Sequence, residues 1–197
     1  MSLRAVKQII EPKPTIEGAG VKLQRAFGFG KTREFDPFLL LDDFRNDNPN
    51  DYAAGFPWHP PRGIETITYV LAGSVEHGDS LGNKGKMTAG DVEWMTAGSG
   101  ILHQEMPKGD SRGRMHGFQL WANLPANLKM TDPRYRDIPA SAIPEIADDD
   151  EKGQGDLWRI LGQESVSPIP LPLRIGNIRR RRSALGNQGC WLRHLDR

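Results

Sequence analysis

The chain has 197 residues, of which 26 are basic and 25 acidic, so its formal net charge is only +1. This balance indicates no strongly charged partner, and no stretch approaches the roughly 18 consecutive apolar residues of a membrane span. The 22 glycines and 15 prolines favour an all-β protein rich in turns. Its one cysteine, Cys190, excludes an internal disulfide and a cysteine-based zinc site, and indicates a reducing, cytoplasmic setting.

In chain order, the first predicted elements are strands at residues 3–10 and 21–27, on either side of the turn-rich stretch EPKPTIEGAG. The apolar run in DPFLLLDDFRND, residues 36–47, predicts the next strand. The following stretch, NDNPNDYAAGFPWHPPRG, has little periodicity and many turn-forming residues. We therefore expect an ordered surface loop there.

The alternation of side chains between the two faces of a strand is clearest in the middle of the chain. In IETITYVLAGSVEH, Glu65 shares a strand face with Ile67 and Tyr69, and Thr68 falls on the other face. DSLGNKGKM predicts a hairpin connection, AGDVEWMTAGSGILHQEMP predicts two strands, and RMHGFQLWANLP predicts one more. Short strands at such spacing indicate a β-barrel or a β-sandwich.

The chain changes character after Pro125, where prolines and charges alternate. The acidic stretch at 145–151 predicts a solvated turn, and LWRILG predicts one more strand. From Ser165 onward, alternating prolines and four consecutive arginines form no pattern that would pack, so we expect residues 165–197 to be irregular and poorly ordered. The arginine run could also be a nuclear-localisation or nucleic-acid patch, but no aromatic platform accompanies it, and we expect no nucleic-acid partner.

Histidine and carboxylate side chains share strand faces at two places. His103 and Glu105 are two residues apart, and His59, Pro61 and Glu65 also have the same parity. Two histidines with a carboxylate leave positions open on non-haem iron for a substrate and oxygen, so a metal centre is one interpretation. Each signal alone is weak, because a His-x-Glu pair on a strand is more often a hydrogen-bonded polar pair.

Together these motifs resemble the cupin superfamily. The first cupin motif is matched, with slips of one residue at each end, by Gly55, His59, Glu65 and Gly73. The second motif is matched by GDVEWMTAGSGILHQE. More specifically, DPFLLLDDF, FPWHPPRGIETITYVLAGSVEHGDSLGNKGKM and GDVEWMTAGSGILHQEMP are similar to the pirin family, and the resemblance spans about residues 3–145.

The resemblance implies an all-β cupin barrel, a double-stranded β-helix or jelly roll, which we assign to residues 3–135. Residues 136–164 are then a linker with the start of a missing second cupin, and 165–197 form the irregular tail. Pirins resemble bicupins, and no strand-rich, glycine-punctuated second half follows Pro139 here. An early stop, a frameshift or a truncated gene model would each produce such an ending.

The resemblance also implies one mononuclear divalent metal, usually iron, held by three histidines and a glutamate. By position, the ligands are His59, His103 and Glu105, and the remaining histidine falls on Pro61. Because proline has no side-chain donor, we expect incomplete metal occupancy. Glu65 is the nearest candidate for an extra ligand.

Other polar residues near these motifs are weaker candidates for the centre. His77 and His116 are expected to have structural hydrogen-bonding roles, since both occur in pirins that already have four ligands. Arg62 is expected to form a solvated rim.

For function, the resemblance implies an oxygenase of the quercetin 2,3-dioxygenase type, in which Glu105 could take the hydroxyl proton of a flavonol-like substrate. A second hypothesis is a non-enzymatic, metal-dependent regulator of the transcriptional co-regulator type that binds a protein partner. A third is a decayed cupin with an incomplete metal site.

Overall fold

The computed structural model describes residues 9–143 and the backbone of four short strands further along the chain. Pro12–Ala140 form one compact unit. The regular elements of this unit are almost all antiparallel strands, which confirms the predicted all-β cupin class. Among the described residues, no helix has the length and apolar character needed to cross a membrane.

The unit contains eleven strands and one short helix. The strands are β1 (Lys13–Glu17), β2 (Val21–Phe27), β3 (Phe38–Asp43), β4 (Phe56–His59), β5 (Ile64–Ala72), β6 (Ser74–Asp79), β7 (Lys84–Thr88), β8 (Val92–Thr96), β9 (His103–Lys108), β10 (His116–Asn123) and β11 (Arg134–Ile138). The helix is α1 (Thr32–Phe35), and single 3-10 turns occur at Phe29–Lys31, Pro49–Asp51, Ala126–Leu128 and Ala140–Ala142.

The strands form two antiparallel sheets. The larger sheet has the order β1-β2-β3-β10-β5-β8-β11, and the smaller sheet has the order β4-β9-β6-β7. Several neighbours in these sheets, such as β3 with β10 and β4 with β9, are distant in sequence, as in a jelly roll, so side chains from separate motifs meet between the sheets.

Two apolar clusters fill the space between the sheets. One joins residues of both sheets, including Val70 of β5 and Val75 of β6, and the other contains Ile64 of β5. Along β5, the inward-facing residues between Ile64 and Val70 are Thr66 and Thr68, both buried. The apolar clusters therefore flank a buried polar layer, and this layer holds the candidate site.

Most predicted strands are confirmed, but three strands formed where the sequence predicted turns or loops. β1 lies in the stretch predicted as turns, β4 in the predicted surface loop, and β11 beyond Pro125. Each is an edge strand or pairs at few positions, so proline and charged side chains are tolerated there.

Some predictions fall outside the described residues. The strand at 3–10 lies there except for residues 9 and 10, which carry no strand, and so does the strand at 157–162. Of the acidic stretch and the tail, the structure describes only two short antiparallel pairs, β12 (Glu145–Ala147) with β13 (Lys152–Gln154) and β14 (Leu173–Arg174) with β15 (Arg193–His194). The boundaries at 135 and 164 stay predictions.

Candidate metal centre

The three predicted ligands come from two adjacent strands of the smaller sheet. In the ladder between β4 and β9, His59 pairs directly with His103, and Phe56 pairs with Glu105. His103 and Glu105 alternate on β9, so both point inward, and they are only 2% and 4% exposed. Two prolines follow His59, and they end β4 at that histidine because proline cannot donate a ladder hydrogen bond.

The donor atoms converge. His59 Nε2 and His103 Nε2 are 2.8 Å apart, and one ligand atom from each of His59, His103 and Glu105 lies within 4.8 Å of the others. Two nitrogens bound at right angles to one ion at about 2.1 Å would be about 3 Å apart. The spacing of the two histidines therefore fits a shared divalent ion.

Hydrogen bonds at the far nitrogens orient both imidazoles. His59 Nδ1 lies 2.9 Å from the carbonyl oxygen of Pro57, which can only accept, so Nδ1 carries the proton and Nε2 offers a lone pair. His103 Nδ1 lies 2.9 Å from the hydroxyl of Tyr135. When His103 donates from Nδ1 to that oxygen, both Nε2 lone pairs face the same point, which is the arrangement that a metal requires.

The carboxylate of Glu105 is held by donors from the opposite sheet. Gln119 Nε2 lies 3.1 and 3.0 Å from its two oxygens, and Thr68 Oγ1 donates to one of them at 3.3 Å. Gln119 is itself oriented, since its Oε1 accepts from Trp121 Nε1 at 3.2 Å. These neutral donors fix the carboxylate without neutralising its charge, which leaves it available to a cation.

Burial sets the protonation of the centre. Desolvation lowers the pKa of His103, although the nearby Glu105 carboxylate opposes this shift. A neutral imidazole is the metal-binding form, so burial favours ligation near neutral pH. Desolvation, with the charges of Glu93 and Glu105, raises the pKa of Tyr135, so its hydroxyl stays protonated beside His103.

Neither of the two positions considered for a fourth ligand joins this group. Pro61 is buried, and its carbonyl oxygen accepts from the backbone of Ile101 at 3.3 Å. Glu65 is fully buried and accepts from Thr96 Oγ1 at 2.9 Å. It lies three residues from Thr68 on β5, so the two side chains leave opposite faces of the strand, and Thr68 is the one that contacts Glu105. The expectation for Glu65 as an extra ligand is therefore not supported by the geometry.

The remaining candidates do not belong to the group formed by His59, His103 and Glu105. His116 accepts from Arg45 Nε at 3.1 Å and lies 3.9 Å from Asp43, in keeping with the structural role expected for it. Arg62 is exposed, with its guanidinium 3.4 Å from the sulfur of Met130, as expected for a rim residue. His77 belongs to a second cluster.

Sequence reasoning missed the residues that support the ligands. Gln119 and Thr68 come from β10 and β5, and Tyr135 comes from β11, at the end of the predicted cupin domain, where no strand was predicted. No spacing pattern connects these residues to the histidines, because they are brought together only by the pairing of distant strands. The alternation on β5 separated Thr68 from Glu65, but it did not indicate which face points inward.

A cleft of about 430 Å³ opens beside the centre. Its wall includes His59 and Glu105, so the ligands are reached from it. The aromatic side chains of Phe29, Trp58 and Trp121 also line it. Its volume lies within the range of roughly 300–1,000 Å³ that is usual for small-molecule sites.

A double-sheet jelly roll with a histidine and glutamate cluster between its sheets defines a cupin protein. The family model for Pirin matches residues 20–122, and the chain belongs to the pirin family. A pirin-like protein of Caulobacter vibrioides is 50% identical to it over 149 residues, which are 76% of this chain and 54% of the relative. The chain thus spans about half the length of the curated relatives it matches.

Solved structures agree with this assignment. The crystal structure of quercetin 2,3-dioxygenase from Acinetobacter baumannii superposes with a TM-score of 0.65 at 34% identity, covering 76% of this chain and 55% of that one. A bacterial pirin from Escherichia coli, crystallised in complex with nickel(II), has a TM-score of 0.53 at 28% identity, covering 70% of this chain and 60% of that one.

Proposed function

We propose that this protein is a metal-dependent oxygenase of the quercetin 2,3-dioxygenase type, with one divalent metal held by His59, His103 and Glu105. The observation that carries the proposal is the convergence of these three side chains beside an aromatic-lined cleft, whose wall includes His59 and Glu105. The similarity to a quercetin 2,3-dioxygenase and to a nickel-bound pirin supports it. Iron is the metal that the family resemblance implies, and the donor set also suits other divalent ions.

A bound metal would supply Lewis acidity and open coordination positions for a substrate hydroxyl and oxygen. The chain's own residues have separate roles. His59 and His103 present their Nε2 lone pairs from rings fixed by Pro57 and Tyr135. The wall of the cleft, with Trp58 and Trp121, would hold a flat aromatic substrate and exclude water.

Glu105 is the proposed general base. Its carboxylate is buried and lies in the wall of the cleft, so a flavonol hydroxyl bound there would be within reach of it. Gln119 and Thr68 limit its rotation, so one oxygen can accept the proton while the carboxylate keeps its orientation. A bound metal would make such a hydroxyl more acidic and so would favour transfer of its proton to Glu105.

The test is oxygen uptake with quercetin. Protein reconstituted with Fe²⁺ or Ni²⁺ is expected to consume oxygen as the flavonol absorbance falls. Glu105→Gln and His59→Ala are expected to abolish both signals, while Glu76→Gln, a change at an exposed carboxylate on β6, leaves them unchanged. Metal binding with no oxygen uptake would contradict the enzymatic proposal and favour the regulatory alternative, and the absence of metal binding would favour a decayed cupin.

A further inference from the structure

A second group of metal-ligating side chains lies near the edges of the two sheets. His77 of β6, Glu93 of β8 and Asp137 of β11 each offer one ligand atom, and these atoms lie within 4.8 Å of one another. His77 Nε2 is 3.0 Å from Glu93 Oε2 and 3.4 Å from Asp137 Oδ1. Glu93 and Asp137 are direct partners in the antiparallel ladder between β8 and β11, so their side chains share a face.

Two of these side chains are buried, and their 3.0 Å contact with each other does not have hydrogen-bond geometry. The side chains of His77 and Glu93 are 2% and 1% exposed. Among the described residues, neither the ring nitrogens of His77 nor the carboxylate oxygens of Glu93 make a hydrogen bond of acceptable geometry. Buried polar groups are nearly always satisfied, and a buried carboxylate is costly unless a cation compensates it.

Several other carboxylates lie close to Glu93. Burial raises the pKa of Glu93, and the nearby carboxylates of Glu105, Asp137 and Asp79 raise it further. Protonated His77 carries one positive charge, which cannot balance both Glu93 and Asp137. A divalent cation would balance both carboxylates and use the ring nitrogen of a neutral His77.

A glycine allows these ligand atoms to lie close to the backbone of a neighbouring strand. Gly85 on the edge strand β7 pairs directly with His77. A Cβ added at Gly85 would collide with His77 Nε2 and lie 2.9 Å from Asp137 Oδ2. Because Gly85 has no side chain, the ring of His77 can lie against β7 at this position, next to Asp137.

We propose that His77, Glu93 and Asp137 bind a second divalent cation, separate from the ion assigned to His59, His103 and Glu105. One imidazole nitrogen with two carboxylate oxygens is a donor set for zinc, manganese or ferrous iron. Asp137 is 56% exposed, so the ion can be reached from solvent at this side chain.

The two sites share structural elements. The ring of Tyr135 stacks on His77, with centroids 5.3 Å apart and an angle of 15° between the planes. Its hydroxyl contacts His103. His77 also pairs directly with Glu105 in the ladder between β6 and β9. A cation at the second site would therefore offset the repulsion between Glu93 and Glu105.

The test is the stoichiometry of Zn²⁺ binding to the full chain after removal of metal by a chelator, measured by equilibrium dialysis and metal analysis. Wild type is expected to bind two equivalents. Glu93→Gln and Asp137→Asn are each expected to lose one equivalent, and His103→Ala is expected to lose the other. Combining Glu93→Gln with His103→Ala should remove both.

Controls separate loss of the site from loss of the fold. Glu76→Gln changes an exposed carboxylate on the same strand as His77, and it should leave both equivalents in place. Asp137→Asn alters a half-exposed side chain, so it tests the site even if Glu93→Gln does not fold. An unchanged number of bound zinc ions in both Glu93→Gln and Asp137→Asn would overturn the proposal and leave His77 and Glu93 as a buried ion pair. If the first site fails, wild type binds one ion, which Glu93→Gln still removes.

Discussion

Gln119 Nε2 lies 3.1 and 3.0 Å from the two carboxylate oxygens of Glu105 and joins the larger sheet to a proposed ligand on the smaller one. We predict that Gln119→Leu weakens metal binding by about 10–100-fold, because partners that orient a ligand typically contribute that much affinity. Isothermal titration with Co²⁺ measures it. Gln104→Leu is the matched control, since Gln104 lies on β9 between the ligands but on the opposite face. Equal affinities in the two variants would show that Gln119 does not position Glu105.

The hydroxyl of Tyr135 is hydrogen-bonded to His103 Nδ1 at a distance of 2.9 Å. We predict that Tyr135→Phe lowers metal affinity by about tenfold or more, because His103 loses the partner that holds the proton on Nδ1. The phenyl ring still stacks on His77, so packing is kept. Tyr52→Phe, which removes a hydroxyl bonded to the Gly113 carbonyl, is the control. The same Co²⁺ titration compares the metal affinities of the two variants. An unaltered affinity in Tyr135→Phe would show that Tyr135 does not orient His103.

Pro61 occupies the position where the family resemblance implies a third histidine. We predict that Pro61→His increases metal affinity and slows metal loss to a chelator, because each added ligand strengthens binding. Pro60→His is the control, because it adds a histidine one residue away, at a position that is exposed, whereas Pro61 is buried. Release rates measured in excess chelator decide the matter. If both variants release metal at the wild-type rate, position 61 is not the missing ligand.

His116 provides a pH dependence that is independent of the metal. Burial, with the positive charge of Arg45, lowers the pKa of His116 to about 4. The unfolded chain takes up this proton below about pH 6.5, whereas the folded chain does so only near its lower pKa. This contribution to stability is therefore intact above pH 6.5 and is lost as pH falls toward 4.

We predict that the urea midpoint of chelator-treated wild type falls more steeply from pH 7 to pH 4.5 than that of His116→Gln. Glutamine keeps an acceptor for Arg45 Nε but does not titrate in this range. Buried carboxylates with raised pKa values act in the opposite direction, so the difference between the two proteins is the informative quantity. Parallel pH profiles would show that His116 does not contribute this dependence.

The sequence predicted the core of the site better than its surroundings. His103 and Glu105 share a face because they alternate on one strand, and the two motif matches brought His59 to the same place. The strand that carries His59 was predicted as a loop, because Pro57 and the two prolines after His59 are typical of turns. The strand pairs with β9 only near its ends. The convergence of these three side chains could thus be predicted without the correct local structure.

The rest of the site depends on the pairing of distant strands. Gln119, Thr68 and Tyr135 meet the ligands only because β10, β5 and β11 belong to the facing sheet. The expectation that Glu65 is an extra ligand came from parity, which shows which residues share a face but not which face is inside. Gly85 and Glu93 carry no motif signal either, and their relation to His77 becomes visible only through strand register.

The central claim is that His59, His103 and Glu105 share one metal ion, and anomalous scattering from crystals grown with Zn²⁺ tests it most directly. We predict an anomalous peak about 2.0–2.2 Å from His59 Nε2, His103 Nε2 and one carboxylate oxygen of Glu105. Crystals of His103→Ala should lack that peak. A wild-type map with no peak between these three side chains, under conditions that saturate the protein with zinc in solution, would contradict the account.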